Sequence, residues 1–250
     1  MCEEAQRIKE NLVDLSFEFN PDEEFKDKSA QFGSFVYTLA IEDMEKIYTS
    51  KNIPKDILID TISDLAVWIN RHHEWVGEWG FTQYGWLIHH IRGRLFKLGR
   101  LQFELWKLQD PPPEELSEQL KAGDPVLGVH IPRGGKMEET ACLESFERAK
   151  DFFPKYLNYD FKAFQCSSWL FDPSFEKLLP PDSNILKFRK LFPVRRTWEG
   201  EAWWGLDYVF VNITKDNIKD APTDTRFRKK LVEHILSGGI MQSGCGYRLV

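Results

Sequence analysis

The sequence predicts an α+β fold: a helical N-terminal domain over residues 1–98, then a domain over 99–250 in which helices pack on a mixed sheet. Three observations predict it. Apolar residues recur three and four apart through the first part of the chain, the period changes to two just after Arg100, and from there short apolar runs alternate with helical stripes. With 250 residues, 42% of them hydrophobic and nine of them Trp, the chain can bury a large core.

Helical spacing runs through 41–48, 53–70 and 84–98. In ILIDTISDLAVWI, Ile57, Ile59, Ile62, Leu65, Trp68 and Ile69 share one stripe. The intervening HHEWVGEWGFTQYGW, rich in Gly and aromatics, reads as a packed turn between helices. LQFEL then puts Leu101, Phe103 and Leu105 on one face of a strand and Gln102 and Glu104 on the other, and Pro111, Pro112 and Pro113 stop it. PEELSEQLKAG is helix-like and PVLGVHIP is a second strand. After the turn RGGK, a helix over 137–157 buries Phe146, Ala149, Phe152 and Phe153. A strand over 164–170 leads to two short helices separated by Pro180 and Pro181, the second capped by Ser183. VRRTWEG and WWGLDYVFV read as strands. LVEHIL is a helix capped by Thr223 or Asp224 and ended by Gly238 and Gly239, and GYRLV closes the sheet.

Composition excludes several functions. The net charge of -6 comes from 39 acidic and 33 basic residues mixed along the chain, so nucleic acid is not an expected partner. Cys2, Cys142, Cys166 and Cys245 are far apart and form no CxxC pair, which signals neither a metal cage nor a disulfide framework. The N-terminus has no apolar signal region, and no run of about 18 apolar residues occurs, so a cytoplasmic location without a membrane partner is expected.

The stretch 164–192 gathers small polar groups at strand-to-helix transitions, among them Cys166 and Ser168. If the strands carrying His130 and Cys166 are neighbours, imidazole and thiol can act as base and nucleophile; alternatively Cys166 packs as a small hydrophobe. Arg133, Gly134, Gly135 and Lys136 lie between a strand and a helix, where backbone N–H groups can hold a phosphate or simply make a tight turn. In His72-His73 and His89-His90, adjacent helical residues point about 100° apart, so neither pair chelates; one ring is expected to pack and the other to face water. Asn184, just behind the Ser183 cap, can face a cleft, as can Asp182. Trp198, Trp203, Trp204, Tyr208 and Phe210 can line an acyl groove or pack across strands.

GRLFKLGRLQFEL, GVHIPRGGKM, ESFERAKDFF, FQCSSWLFDP and SNILKFRKLF, together with TISDLAVW, resemble the hallmark stretches of the GNAT-like acyltransferases with a helical N-acyltransferase N-terminal domain. The resemblance covers residues from about 35 to 210. It implies a helical domain joined to a GNAT-like mixed-sheet domain, with acyl-CoA, acetyl or longer, as co-substrate and no metal. It also implies transfer of the acyl group to a small-molecule acceptor of amine type by direct attack on the thioester. On that reading His130 is the base, Cys166 or Ser168 lies near the thioester, Arg133–Lys136 contacts the cofactor, and Trp169 and Asn184 contact substrate. Two alternatives accompany it: a non-catalytic CoA- or ligand-binding protein of the same fold, and a transferase or hydrolase working through a Cys166 acyl-enzyme. The Q/R-x-x-G-x-G/A loop that opens a helix in standard GNAT enzymes has only a weak counterpart here, Met241 to Gly246.

Overall fold

The computed structural model describes residues 3–198 and 200–250, leaving Glu199 of VRRTWEG outside the described residues. Helices come first: α1 (Glu3–Val13), α2 (Pro21–Phe25), α3 (Ala30–Ser50), α4 (Lys55–Val76) and α5 (Tyr84–Ile91). α1 buries Ala5, Ile8 and Leu12, one stripe of an otherwise charged helix. Asn20 and Ser29 cap α2 and α3, their side-chain oxygens accepting from the N–H groups of Glu23 and Phe32. α4 ends where Gly77 turns to φ +80 and donates its N–H to the His73 carbonyl. Gly33 of α3 lies so close to the Tyr84 ring that a Cβ there would collide with it.

β1 (Leu95–Leu98) and β2 (Leu101–Lys107) form an antiparallel hairpin in which Leu98 faces Leu101 and Gly99, at φ +80, makes the turn. The helix expected over 84–98 therefore stops at Ile91. Gly93 at φ +60 ends it, and LFKL, whose apolar spacing fits either period, pairs with the next strand instead.

The remaining elements are β3 (Pro125–His130), α6 (Glu139–Leu157), β4 (Ala163–Ser168), α7 (Phe175–Leu178), α8 (Asn184–Lys190), β5 (Val194–Thr197), α9 (Leu206–Val209), α10 (Arg226–Leu236) and β6 (Gly244–Leu249). The strands follow the order β1-β2-β3-β4-β6-β5, with β3 and β4 parallel and β6 antiparallel to both β4 and β5. This is the mixed sheet that the sequence predicts. GYRLV joins it from inside, between β4 and β5, rather than closing an edge.

Three local expectations are corrected. WWGLDYVFV is no strand: Trp203–Gly205 forms a 3-10 turn that runs into α9. A nearly continuous apolar run does not distinguish a strand from a buried helical segment, and here Gly205 sits against Met241 and Trp169 with no room for a side chain. PEELSEQLKAG contributes only the 3-10 turn Glu114–Leu116. The cap of α10 is Thr225, next to the expected Asp224, its hydroxyl accepting from Arg228 N–H at 3.1 Å.

The chain forms two compact units, one gathering Met1–Leu105, His130–Gly134 and Glu147–Tyr159, the other Trp106–Val129, Gly135–Phe146 and Asp160–Val250. In the first, Phe96 packs on Phe152 and Phe153 with ring centroids 5.0 and 5.8 Å apart. In the second, Phe146 meets Phe164 at 4.6 Å and Phe171 meets Phe192 at 5.5 Å. The expected stripe of α6 is buried throughout.

Candidate functional site

A cluster of titratable groups belongs entirely to the first unit and is assembled from α4, α5, β2 and the end of β3. β2 carries Gln102 and Glu104 on the face that its alternation assigns to polar residues. That face is not exposed to water: Gln102 is 1% exposed and Glu104 8%. A carboxylate in such a place must be paired or protonated, and Glu104 is paired twice. Its Oε2 lies 3.0 Å from His130 Nε2 in a regular hydrogen bond. Its Oε1 lies 2.9 Å from His89 Nδ1, an ion-pair distance whose angle falls outside that of a regular hydrogen bond. Burial alone would raise the Glu104 pKa, but the contacts with His130 and His89 outweigh it and bring it down to about 2. The carboxylate is thus ionised at neutral pH and acts only as an acceptor.

The neighbouring ring turns to a second carboxylate. His90, fully buried, places Nε2 3.1 Å from Asp64 Oδ2 on α4. The same oxygen accepts from Trp68 Nε1 at 3.1 Å and Trp86 Nε1 at 3.0 Å. Burial pushes the Asp64 pKa up, yet the contacts from His90, Trp86 and Gln102 prevail and it is lowered. The expectation for the pair thus holds only in part. His90 packs and His89 keeps some exposure, but each is aimed at an acid group. The roughly 100° between successive helical side chains is what separates them onto two acids.

Trp86 links the two sets. Its indole is anchored to Asp64 and its ring meets that of His130 edge-on at 4.7 Å. The segment after His130 is also tied down, Arg100 donating to the Pro132 carbonyl at 3.0 Å and Arg133 pairing with Glu74 at 3.3 Å. The His130 side chain is 25% exposed, while the carboxylate that pairs with it is buried.

The other expected site residues lie as follows. Gly134, at φ +89, belongs to the first unit with His130 and Arg133; Gly135, at φ +70, and Lys136 belong to the second. All four residues of RGGK are exposed, and α6 begins only at Glu139. Cys166 faces Gly246 across the β4–β6 pair and is 1% exposed, and burial, aided by neighbouring Cys245, pushes its thiol pKa well up. The Ser168 hydroxyl accepts from Leu170 N–H at 3.1 Å and so opens the turn after β4. Trp169 packs edge-on against Phe175 and stacks at 6.3 Å on Tyr208. Asn184 is the half-buried first residue of α8, behind the Ser183 hydroxyl that accepts from Leu186 N–H at 3.3 Å. Met241 to Gly246 runs into β6 instead of opening a helix.

Of the cluster, only His130 stands out in the sequence as a site residue. Glu104, His89, His90, Asp64 and Trp86 do not. The available signals were a charged residue within an alternating strand and adjacent His in a helix otherwise apolar.

Comparison with known families fits this architecture. The model of an N-acyltransferase N-terminal domain matches residues 1–93, and that of a GNAT-like C-terminal domain matches residues 95–248. The chain belongs to this GNAT-like family. Among curated proteins none matches. An acyltransferase crystallised with decanoyl-CoA and teicoplanin shares 23% identity with a TM-score of 0.80, over 98% of this chain and 76% of that one. A mutant acyltransferase in complex with octanoyl-CoA shares 24% identity with a TM-score of 0.78, over 90% and 69%. A third structure, with CoA and 10C-teicoplanin, has a TM-score of 0.76 at 24% identity, over 90% and 68%. At these identities the likeness is one of fold. Among the described residues no helix of the GNAT-like chain is long and apolar enough to cross a membrane. No group of three or more His, Cys, Asp or Glu among them could hold a metal ion.

Proposed function

We propose that the chain transfers an acyl group from a medium-chain acyl-CoA to a small-molecule amine by direct attack. One observation carries the assignment of the base: His130, partly exposed, hydrogen-bonds through Nε2 to an ionised, buried Glu104. Because an ionised carboxylate only accepts, Nε2 carries the proton in the neutral ring and the lone pair sits on Nδ1. In the reaction Nδ1 takes a proton from the amine as its nitrogen bonds to the thioester carbon. The C–S bond then breaks, CoA leaves as thiolate and takes up the proton that the ring received, and the products are an amide and free CoA, with the imidazole neutral again. Glu104 offsets the positive charge that appears on the ring.

The choice of chain length rests on the octanoyl- and decanoyl-CoA held by the structures that share the fold. Arg133 and Lys136, with the backbone of Gly134 and Gly135, are proposed as contacts for the phosphates of CoA, while Trp169 and Asn184 are proposed to contact substrate. The burial of Cys166 and its raised thiol pKa favour direct transfer over an acyl-enzyme, since a thiol held protonated is a poor nucleophile.

The test is release of free CoA from octanoyl- or decanoyl-CoA across a panel of primary amines, with the amide product identified by mass. Amine-dependent release is the expected result, and absence of both release and calorimetric acyl-CoA binding would refute the proposal. One observation favours a second reading, a CoA-binding protein without turnover: the string closest to the pyrophosphate loop is the entry to a strand. Binding without thioester loss for any amine would select it.

A further inference from the structure

We infer that His89 is a positioning residue for the base, acting through Glu104. This rests on the proposed role of His130 and extends it to a group that acts through the Glu104 carboxylate. A carboxylate on a glutamate stem turns freely about its last bond unless both oxygens are engaged. Here each oxygen faces a different imidazole, Oε2 that of His130 at 3.0 Å and Oε1 that of His89 at 2.9 Å. With His89 in place, rotation of the carboxylate would forfeit the hydrogen bond to His130 and the close electrostatic contact to His89 at once. His89 therefore holds Oε2 on His130 and fixes which ring nitrogen carries the proton. α5 is well placed for this, because the next residue, His90, is itself fixed on Asp64 and leaves the helix little freedom to rotate.

The atom matters. Nδ1 of His89 contacts Glu104, and an Asn amide nitrogen occupies about the position of Nδ1 whereas that of Gln occupies about that of Nε2. His89→Asn should keep the contact and His89→Gln should lose it.

The experiment uses the full chain and two readouts. The first needs no substrate: proton–nitrogen correlation spectra of the ring nitrogens, with the His130 signals assigned by their loss in His130→Gln. His89→Gln is expected to shift or broaden the His130 Nε2–H signal, with His89→Asn close to the parent protein. The second is turnover of octanoyl-CoA with the best amine of the panel. There His89→Gln is expected to lower kcat about 10- to 100-fold with KM for octanoyl-CoA unchanged, and His89→Asn to recover to within about 3-fold. An unaltered His130 signal in His89→Gln overturns the inference. So does equal impairment of the Asn and Gln variants. If no amine is acylated, the proposed function falls while the spectra still decide whether His89 positions His130.

Discussion

On the proposed mechanism, His130 and Glu104 divide one task between a partly exposed ring and a buried charge, and the two ends should fail differently when altered. His130→Gln removes the proton acceptor but keeps a polar side chain of similar size, so kcat should fall roughly 10²–10⁴-fold with little change in acyl-CoA affinity by calorimetry. Glu104→Gln leaves a donor-and-acceptor amide where an acceptor was required. One of the two imidazoles must then reverse its tautomer or lose its partner, and a fall in kcat of about 10²-fold is expected in the same assay. The candidate cluster was only partly legible at this scale. His130 was readable because it ends a strand just before a glycine turn. Glu104 was not, because period-2 alternation says which residues share a face and leaves open whether that face meets water or protein. Nor does spacing say that residues 89 and 130 converge on residue 104, since the convergence depends on folding α5 onto the hairpin.

Caps and close approaches fix the elements, and their contributions can be measured one at a time. The Ser183 hydroxyl satisfies the N–H of Leu186 at the start of α8, so Ser183→Ala should cost about 1 kcal/mol of stability in urea unfolding followed by Trp fluorescence. Gly33→Ala should cost about 1–3 kcal/mol, because the added methyl meets the Tyr84 ring where α3 approaches α5. The helices were legible in α4, α6 and α8, where a cap or an amphipathic stripe marked them, whereas α1, α2 and the first half of α3 were not singled out despite a stripe in α1 and caps at Asn20 and Ser29. Two of the failures, at 95–98 and 203–209, have one cause. Apolar residues in those segments are too dense for a period to show, and tertiary pairing decides between strand and helix.

Acid should reveal the electrostatics of the whole molecule. The Glu104 pKa lies at about 2 in the folded state against an ordinary 4.5, and those of Asp64, Asp43 and Asp124 are lowered as well. Between these limits the unfolded chain binds more protons than the folded one, so stability rises with pH through that window. The Glu104 contribution is complete above about 4.5 and disappears as pH falls toward 2. Denaturant midpoints should therefore drop steeply below pH 4.5, and the gap between the parent protein and Glu104→Gln should close over the same range. A gap that stays constant to pH 3 would count against the pairing. The division into a helical part and a mixed sheet was readable from the change of period near Arg100. The return of 130–134 and 147–159 to the first compact unit was not, because it joins segments that are distant in the chain.

The paired histidines of α5 also make that helix intolerant of length change. Inserting one residue between Tyr84 and His89 would rotate both rings by about 100°, carrying one past Glu104 and the other past Asp64 in the same step. No single compensating substitution restores two contacts that point in different directions. An insertion in the Gly-bearing connection between α4 and α5, residues 77–83, would by contrast leave the angular setting of the helix unchanged.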